Sequence, residues 1–111
     1  MRPSDRVDRW LDDLASSLDT AAALVARGRA AFDGDPAIPL AFEALSNRVG
    51  DLAKRLVAAD PSRFRDPIWS QAARNRDCVV HHYDRVDSDA LWQTVARSFP
   101  ELRAVLDRVR G

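Results

Sequence analysis

The sequence has few residues of the kinds that stabilise small secreted or membrane-bound proteins. Cys78 is the only cysteine, so an internal disulfide is excluded. No apolar run approaches the length that crosses a bilayer. The opening segment "MRPSDRVDRW" has no apolar centre of the kind found in a secretory signal peptide. These absences lead us to expect a cytoplasmic protein without a membrane anchor.

An excess of charge is also missing. The chain carries 17 basic and 17 acidic residues, so its formal net charge is zero. This balance argues against a surface that binds long nucleic acids by charge alone, but it leaves room for a local phosphate site. Lys54 is the only lysine among the 17 basic residues. We assign no function to this preference for arginine.

Glycine is scarce too, with four residues among 111, whereas alanine, leucine and valine dominate the apolar residues. This composition and an apolar spacing of three and four residues predict an all-α protein. We expect one domain over residues 1–111, folded as an antiparallel up-and-down bundle of about four to five helices. Part of the apolar surface of so short a chain stays uncovered, which favours dimerisation.

Caps, glycines and prolines mark the expected helix boundaries. "FDGDPAIP" is predicted to be a loop, and "AADPSRFRDP" a short link. The predicted helices are Ser4 to near Gly28, about Ile38 to Leu56, about Ile68 through the segment "RDCVVHHY", Asp87 or Ser88 to Phe99, and Pro100 to Val109.

The segment "RDCVVHHY" contains both histidines and the only tyrosine of the chain. Arg76 interrupts an apolar helical stripe there, and Tyr83 follows one heptad later on the same face. A charge at an inward position needs an anion, a partner carboxylate or a wet cleft. An internal ion pair is one explanation, and the carboxylates considered for it are Asp51, Glu43 and Asp77.

His81 follows Arg76 by five residues, a rotation of about 140° on an ideal helix, so the two do not share a face. Two explanations remain open. Either the helix ends or distorts here, or a second subunit completes the site across a two-fold axis. The adjacent His81 and His82 diverge and have no metal-spaced Asp, Glu or Cys around them, so we predict no metal site and no cofactor.

This segment fits the pattern Arg-x4-His-x-Tyr and resembles HEPN-domain toxins of the HepT type. The resemblance extends over "PIWSQAARNRDCVVHHYDRVDSDALWQTVARSFPELRAVL", which is similar to the family's Pro-x-Trp, Val-Asp, Leu-Trp-x-Thr-Val and Pro-x-Leu elements. The segment "RVGDLAKRL" resembles a further family segment, with Asp51 in place of Glu. Two positions depart from the family pattern: Asp77 stands where Asn is usual, and His82 where Gly is common.

The resemblance implies a HEPN-like bundle that acts as a homodimer and cleaves RNA without a metal. It implies His81 as the general acid or base and Arg76 as the group that holds the scissile phosphate, with Asp77 and His82 in support. It also implies that Tyr83 is modified with AMP by a partner antitoxin, a minimal nucleotidyltransferase. The added phosphate would compete for Arg76.

Three interpretations follow: a ribonuclease toxin of a toxin–antitoxin pair, a non-catalytic nucleotide- or partner-binding subunit of a nucleotidyltransferase complex, and a purely structural bundle.

Other residues of note are assigned to the scaffold. Trp10, Trp69 and Trp92 are expected to be core or interface anchors, and Cys78 to be a packing residue. Arg48, Lys54 and Arg55 are expected to form a solvated face, with RNA contact as the alternative.

Overall fold

A computed structural model describes the backbone of residues 3–81 and 87–111 and the side chains of residues 4–75 and 87–111. These residues form helices and no strand. The helices are α1 (Pro3–Val25), α2 (Arg29–Gly34), α3 (Ala37–Ala59), α4 (Pro67–His81), α5 (Ser88–Gln93) and α6 (Phe99–Arg110), with a π-helical turn (Thr94–Ser98) between the last two. The predicted all-α helical bundle is confirmed, while its homodimeric state stays a prediction.

The core lies around α3, which packs along both α1 and α4, while α6 packs against α1 and α4 as well. Each helix buries one stripe of side chains at three- and four-residue spacing, as an amphipathic helix does. The residues of the core that are least accessible to solvent are Leu11, Leu14, Ala21, Phe32, Phe42, Val49, Ala53, Leu56, Phe64, Trp69, Val95, Leu102 and Leu106.

The ends of α1 differ slightly from the prediction. The helix begins at Pro3, so Ser4 lies inside it and is not its cap. Proline suits this place because the first helical N–H groups have no intrahelical partner. At the other end the chain leaves α1 after Val25, and Gly28 has a φ of 89°. A side chain is strained in that backbone region, which explains a glycine there.

The prediction of a loop over "FDGDPAIP" is wrong at both ends. Phe32 lies in α2 and is buried, with its ring 5.0 Å from that of Phe42 and 5.4 Å from that of Trp92. The free energy gained by burying this ring outweighs the tendency of the nearby Gly34 to disfavour a helix. Pro36 occupies the N-cap position of α3, where Asp35 Oδ1 accepts from the Ala37 N–H at 3.0 Å, and Pro39 lies in the first turn, where the missing N–H costs nothing. These prolines therefore mark a helix start and not a loop.

The two predicted C-terminal helices form one helical segment through the π-helical turn. The Phe99 N–H bonds to the Thr94 carbonyl, five residues back. Leu91, Val95 and Phe99 are all buried although eight residues on an α-helix overshoot two turns by about 80°. The wider turn keeps them in line. The turn also ends two residues before Pro100, which cannot donate a helical hydrogen bond.

Arg29 links the short α2 to α5. Its guanidinium contacts Asp33 at 2.9 Å and Asp89 at 2.7 Å, and it also lies over the rings of Phe32 and Trp92. The hydrogen bonds to Asp33 and Asp89 raise the pKa of Arg29 above its ordinary value. The group therefore stays charged at any pH at which the protein would be studied.

Candidate active site

The candidate site is built on α4, and Asp66 determines where that helix starts. The Ile68 N–H donates to Asp66 Oδ1 at 3.0 Å, and the Trp69 N–H donates to the Asp66 carbonyl at 3.1 Å. Asp66 thus caps the helix, and Pro67 follows at the first helical position, where proline is preorganised. The predicted start near Ile68 is confirmed to within one residue.

Trp69 fixes the rotation of α4 about its axis. Its side chain is fully buried, and its ring meets Phe64 edge to face at 5.0 Å. In the described part of the chain its Nε1–H has no hydrogen-bond partner. Two helical turns further on, Arg76 occupies the same register position as Trp69, since seven residues rotate by about −20°.

Burial along α4 decreases toward its C-terminal end, where the predicted catalytic residues lie. Trp69 is buried, Ala72 and Ala73 are half-buried, and Arg74 is exposed. Arg76, Asp77 and His81 follow on the same helix, which is described as far as His81. Their side chains, and the whole of His82 and Tyr83, lie outside the described residues, so their predicted roles stay predictions. The Cys78 side chain also lies outside the described residues, so its assignment to packing stays a prediction.

The three tryptophans differ in their surroundings. Trp69 belongs to the core, and Trp92 packs against its edge, stacked on Phe42 at 5.9 Å. Trp10 also packs against the core and lies beneath the Arg55 guanidinium at 5.9 Å. All three are packing residues, as predicted.

Several residues that carry the resemblance have a visible structural role. Asp87 Oδ1 accepts from the N–H groups of Asp89 and Ala90 at 2.9 and 3.2 Å, which makes Asp87, and not Ser88, the cap of α5. Leu91 and Val95 belong to the core, and so does Leu102. These positions shape the scaffold, which leaves Arg76, His81 and Tyr83 as the motif positions with reactive side chains.

Three basic residues of α3 were predicted to form one solvated face, but their surroundings differ. Arg48 donates from Nε to Ser17 Oγ at 3.0 Å. Arg55 pairs with Asp51 at 3.1 Å and covers Trp10. Lys54 is exposed and has no ion-pair partner among the described residues. The first two are thus engaged within the chain, while the Lys54 ammonium is available to a ligand.

A pocket that the sequence did not reveal lies beside Lys54. It has a volume of about 310 Å³ and opens between α3 and α4. We call it the Lys54 pocket, and it is lined by Lys54, Val57, Ala58, Trp69, Ser70 and Ala73. Only the packing of two helices, which periodicity does not specify, brings Lys54 and Ser70 to the same opening.

Neither metal ligands nor a membrane span occur in the parts that can be described. Over residues 4–75 and 87–111, no group of three or more His, Cys, Asp or Glu side chains is placed to hold a metal ion. No helix in the described ranges is long and apolar enough to cross a membrane.

Comparison with known proteins decides the family. Residues 16–109 match the sequence profile of the family described as Ribonuclease HepT-like. The chain belongs to the HepT-like ribonuclease family. The profile covers all the helices except the first turns of α1, and with them Trp69, the Lys54 pocket and the segment from Arg76 to Tyr83.

Two curated relatives agree with this assignment to the HepT-like ribonucleases. A protein of Thermococcus cleftensis, named as a probable ribonuclease HepT, is 33% identical over 63 residues, which are 56% of either chain. A candidate RNase of Caldanaerobacter subterraneus is 31% identical over 75 residues, which are 64% of this chain and 63% of the relative. The matches therefore span less than two thirds of these relatives' lengths. No solved structure matches the chain significantly.

Proposed function

We propose that this protein is a metal-independent endoribonuclease that acts as the toxin of a toxin–antitoxin pair. The observation that carries the proposal is the family match over residues 16–109, which includes Arg76, His81 and Tyr83. The names of both curated relatives refer to ribonuclease activity and agree with it. Its substrate would be RNA in the cytoplasm.

In the proposed mechanism, the chemistry comes from two side chains. His81 moves a proton at the attacking 2′-hydroxyl or at the leaving oxygen, because imidazole titrates near working pH. Arg76 holds the scissile phosphate through charge-assisted hydrogen bonds and stabilises the extra charge of the transition state. The need for a 2′-hydroxyl restricts the substrate to RNA. Asp77 orients one of these groups, and His82 is a second base beside His81.

Continuity of α4 supports a site shared between two subunits. The helix is described from Pro67 to His81, so no break separates Arg76 from His81 on the chain. Their register positions differ by about 140°, and one helix does not present both to the same phosphate. A homodimer in which the two copies of α4 face each other would bring the arginine of one copy to the histidine of the other.

Tyr83 is the proposed point of control. We propose that a minimal nucleotidyltransferase antitoxin transfers AMP to its hydroxyl. Tyr83 follows Arg76 by one heptad, so an attached phosphate would compete with RNA for the guanidinium. The modification would therefore block substrate binding without unfolding the protein.

Expression of the full chain in a bacterial host tests the activity. Wild type is expected to arrest growth and degrade RNA, whereas Arg76→Ala and His81→Ala are expected to be harmless at equal expression. Arg74→Ala is the matched control, because Arg74 is an exposed arginine two residues from Arg76 on the same helix. The proposed ribonuclease activity would be refuted if wild type neither slows growth nor, as a purified dimer, cleaves RNA in vitro.

That outcome would favour the second candidate function, a non-catalytic nucleotide- or partner-binding subunit of a nucleotidyltransferase complex. The zero net charge favours this function, since it provides no overall attraction to the phosphates of RNA. Asp77, beside Arg76, favours it as well. Binding of a nucleotide without RNA cleavage, abolished by Arg76→Ala, is the result that would support it.

A further inference from the structure

The Lys54 pocket combines an apolar surface with one cationic lining residue. Its surface is almost wholly apolar, with Val57, Ala58 and Ala73 over the buried Trp69, and the exposed Lys54 and Ser70 complete the lining. A volume of about 310 Å³ is at the small end of the range for ligand sites. This combination suits a small, flat, weakly polar group that carries an anion at one edge.

The charge of Lys54 specifies the anion. Arg48 and Arg55, on either side in the sequence, are engaged with Ser17 and Asp51, but Lys54 has no carboxylate partner in the described ranges. An exposed ammonium is a point charge on a flexible stem, so it can follow and bind a phosphate group in the backbone of a flexible polymer. The pocket thus offers an anionic partner a contact that the protein itself does not satisfy.

The position of the pocket relates it to Arg76. Ala73 lines the pocket and precedes Arg76 by three residues, and Ser70 precedes Asp77 by seven. At the helical rise, these steps correspond to about 4 and 10 Å along the axis of α4. These separations are of the order of one nucleotide step, so a strand whose scissile phosphate lies at Arg76 would have its neighbouring nucleotide within reach of the pocket.

We infer that the Lys54 pocket binds the RNA nucleotide adjacent to the cleaved bond, with its base against the apolar wall and its backbone phosphate on Lys54. The inference rests on the proposed function, because it takes RNA as the ligand and Arg76 as the site of cleavage. Aliphatic side chains form no hydrogen bonds with the base edges that distinguish the four bases, so the subsite adds affinity and positions the strand without selecting a sequence.

Binding of an uncleavable single-stranded RNA with 2′-O-methyl sugars tests the subsite separately from catalysis. Affinity is measured by fluorescence anisotropy over a series of salt concentrations for the full chain. Lys54→Gln is expected to weaken binding about threefold to tenfold and to lower the salt slope by about 0.7, the value for one lost phosphate contact on a single strand. Ala58→Glu, which adds a carboxylate at the pocket, is expected to weaken binding further.

Arg55→Gln is the matched control, because it removes one positive charge from the neighbouring, exposed residue outside the pocket. Its affinity is expected to stay within about twofold of wild type. Equal losses in both variants would mean that only overall charge matters and would overturn the subsite. An unchanged affinity and salt slope in Lys54→Gln, with wild type binding and cleaving RNA, would overturn it while leaving the proposed function intact.

Light scattering, which measures the oligomeric state, distinguishes an RNA subsite from an interface between two copies of the chain. If Lys54→Gln or Ala58→Glu dissociates an oligomer of the wild type, the surface is an interface between copies and the RNA subsite is overturned. Wild type that neither binds nor cleaves RNA would instead overturn the proposed function, and with it the subsite.

Discussion

Trp69 and Phe64 meet edge to face, with their ring centroids 5.0 Å apart and their planes at 78°. Phe64 comes from the short link after α3, and Trp69 from the first turn of α4, so the contact holds the start of α4 against the core. The register positions of Arg76, Asp77 and His81 follow from this anchor, since they lie further along the same helix.

Substitutions of Trp69 are expected to differ sharply in how much stability they remove. Trp69→Ala should lower the free energy of unfolding by about 3–5 kcal/mol, the usual loss for a large buried aromatic side chain. Trp69→Phe should cost much less, because it also removes an indole N–H that has no partner among the described residues, a group that costs about 1–3 kcal/mol when buried. Urea unfolding measures both variants, and equal losses would contradict the prediction.

The cap of α5 is expected to matter for stability and not for chemistry. Asp87→Ala should lower the free energy of unfolding by about 1 kcal/mol, because the N–H groups of Asp89 and Ala90 lose their acceptor. Asp87→Asn, which keeps a side-chain oxygen, should be close to wild type. Thermal unfolding combined with RNA cleavage per folded molecule checks this. Loss of cleavage in a stable Asp87→Asn would give the residue a catalytic role.

Asp77→Asn, which restores the residue usual in the family, is expected to increase RNA affinity by about threefold to tenfold. A carboxylate next to Arg76 in the sequence would repel the RNA phosphate, and its removal would correspond to about one more effective phosphate contact, while asparagine keeps a side-chain oxygen that can still orient Arg76 or His81. The gain should be largest at low salt, because salt screens exposed charges. Anisotropy with the uncleavable RNA measures it. A weaker affinity would mean that the Asp77 charge positions Arg76 and does not repel RNA.

Tyr83→Phe is expected to cleave RNA within about threefold of wild type, since the proposed chemistry needs Arg76 and His81 and not the phenol. Without the hydroxyl, however, the variant has no acceptor for AMP. A co-expressed minimal nucleotidyltransferase should therefore rescue growth with wild type and fail with Tyr83→Phe. Mass spectrometry checks the transfer directly, and a 329 Da adduct on the variant would place the modification elsewhere. The adduct mass is about that of AMP minus water, as for any phosphoryl attachment.

Helical periodicity was enough to predict most of the fold. The stripes of α1, α3 and the segment from Leu91 to Val109 were recognised because each repeats at three and four residues. Two features escaped this reasoning. Phe64 lies between Pro61 and Pro67, outside any periodic stripe, and yet it is buried. The loop predicted over Pro36 and Pro39 is instead the start of α3, because proline also suits the first turn of a helix.

The candidate site was predictable in part. The segment from Arg76 to Tyr83 was recognised because charged residues interrupt an apolar stripe and because the pattern resembles a known family. The Lys54 pocket was not predictable, since Lys54 and Ser70 are far apart in sequence and meet only through the packing of α3 on α4. Local spacing likewise did not distinguish Lys54 from Arg48 and Arg55, whose partners come from α1 and from the same helix.

Lys54 has one more consequence, because it carries the only side-chain amine of the chain. A reagent that acylates amines has one target besides the terminal α-amino group, and that target is at the rim of a pocket. A photo-reactive or fluorescent label can therefore be installed at this single place without engineering the sequence. Any cellular enzyme that acetylates lysine would likewise act on the protein at this one side chain.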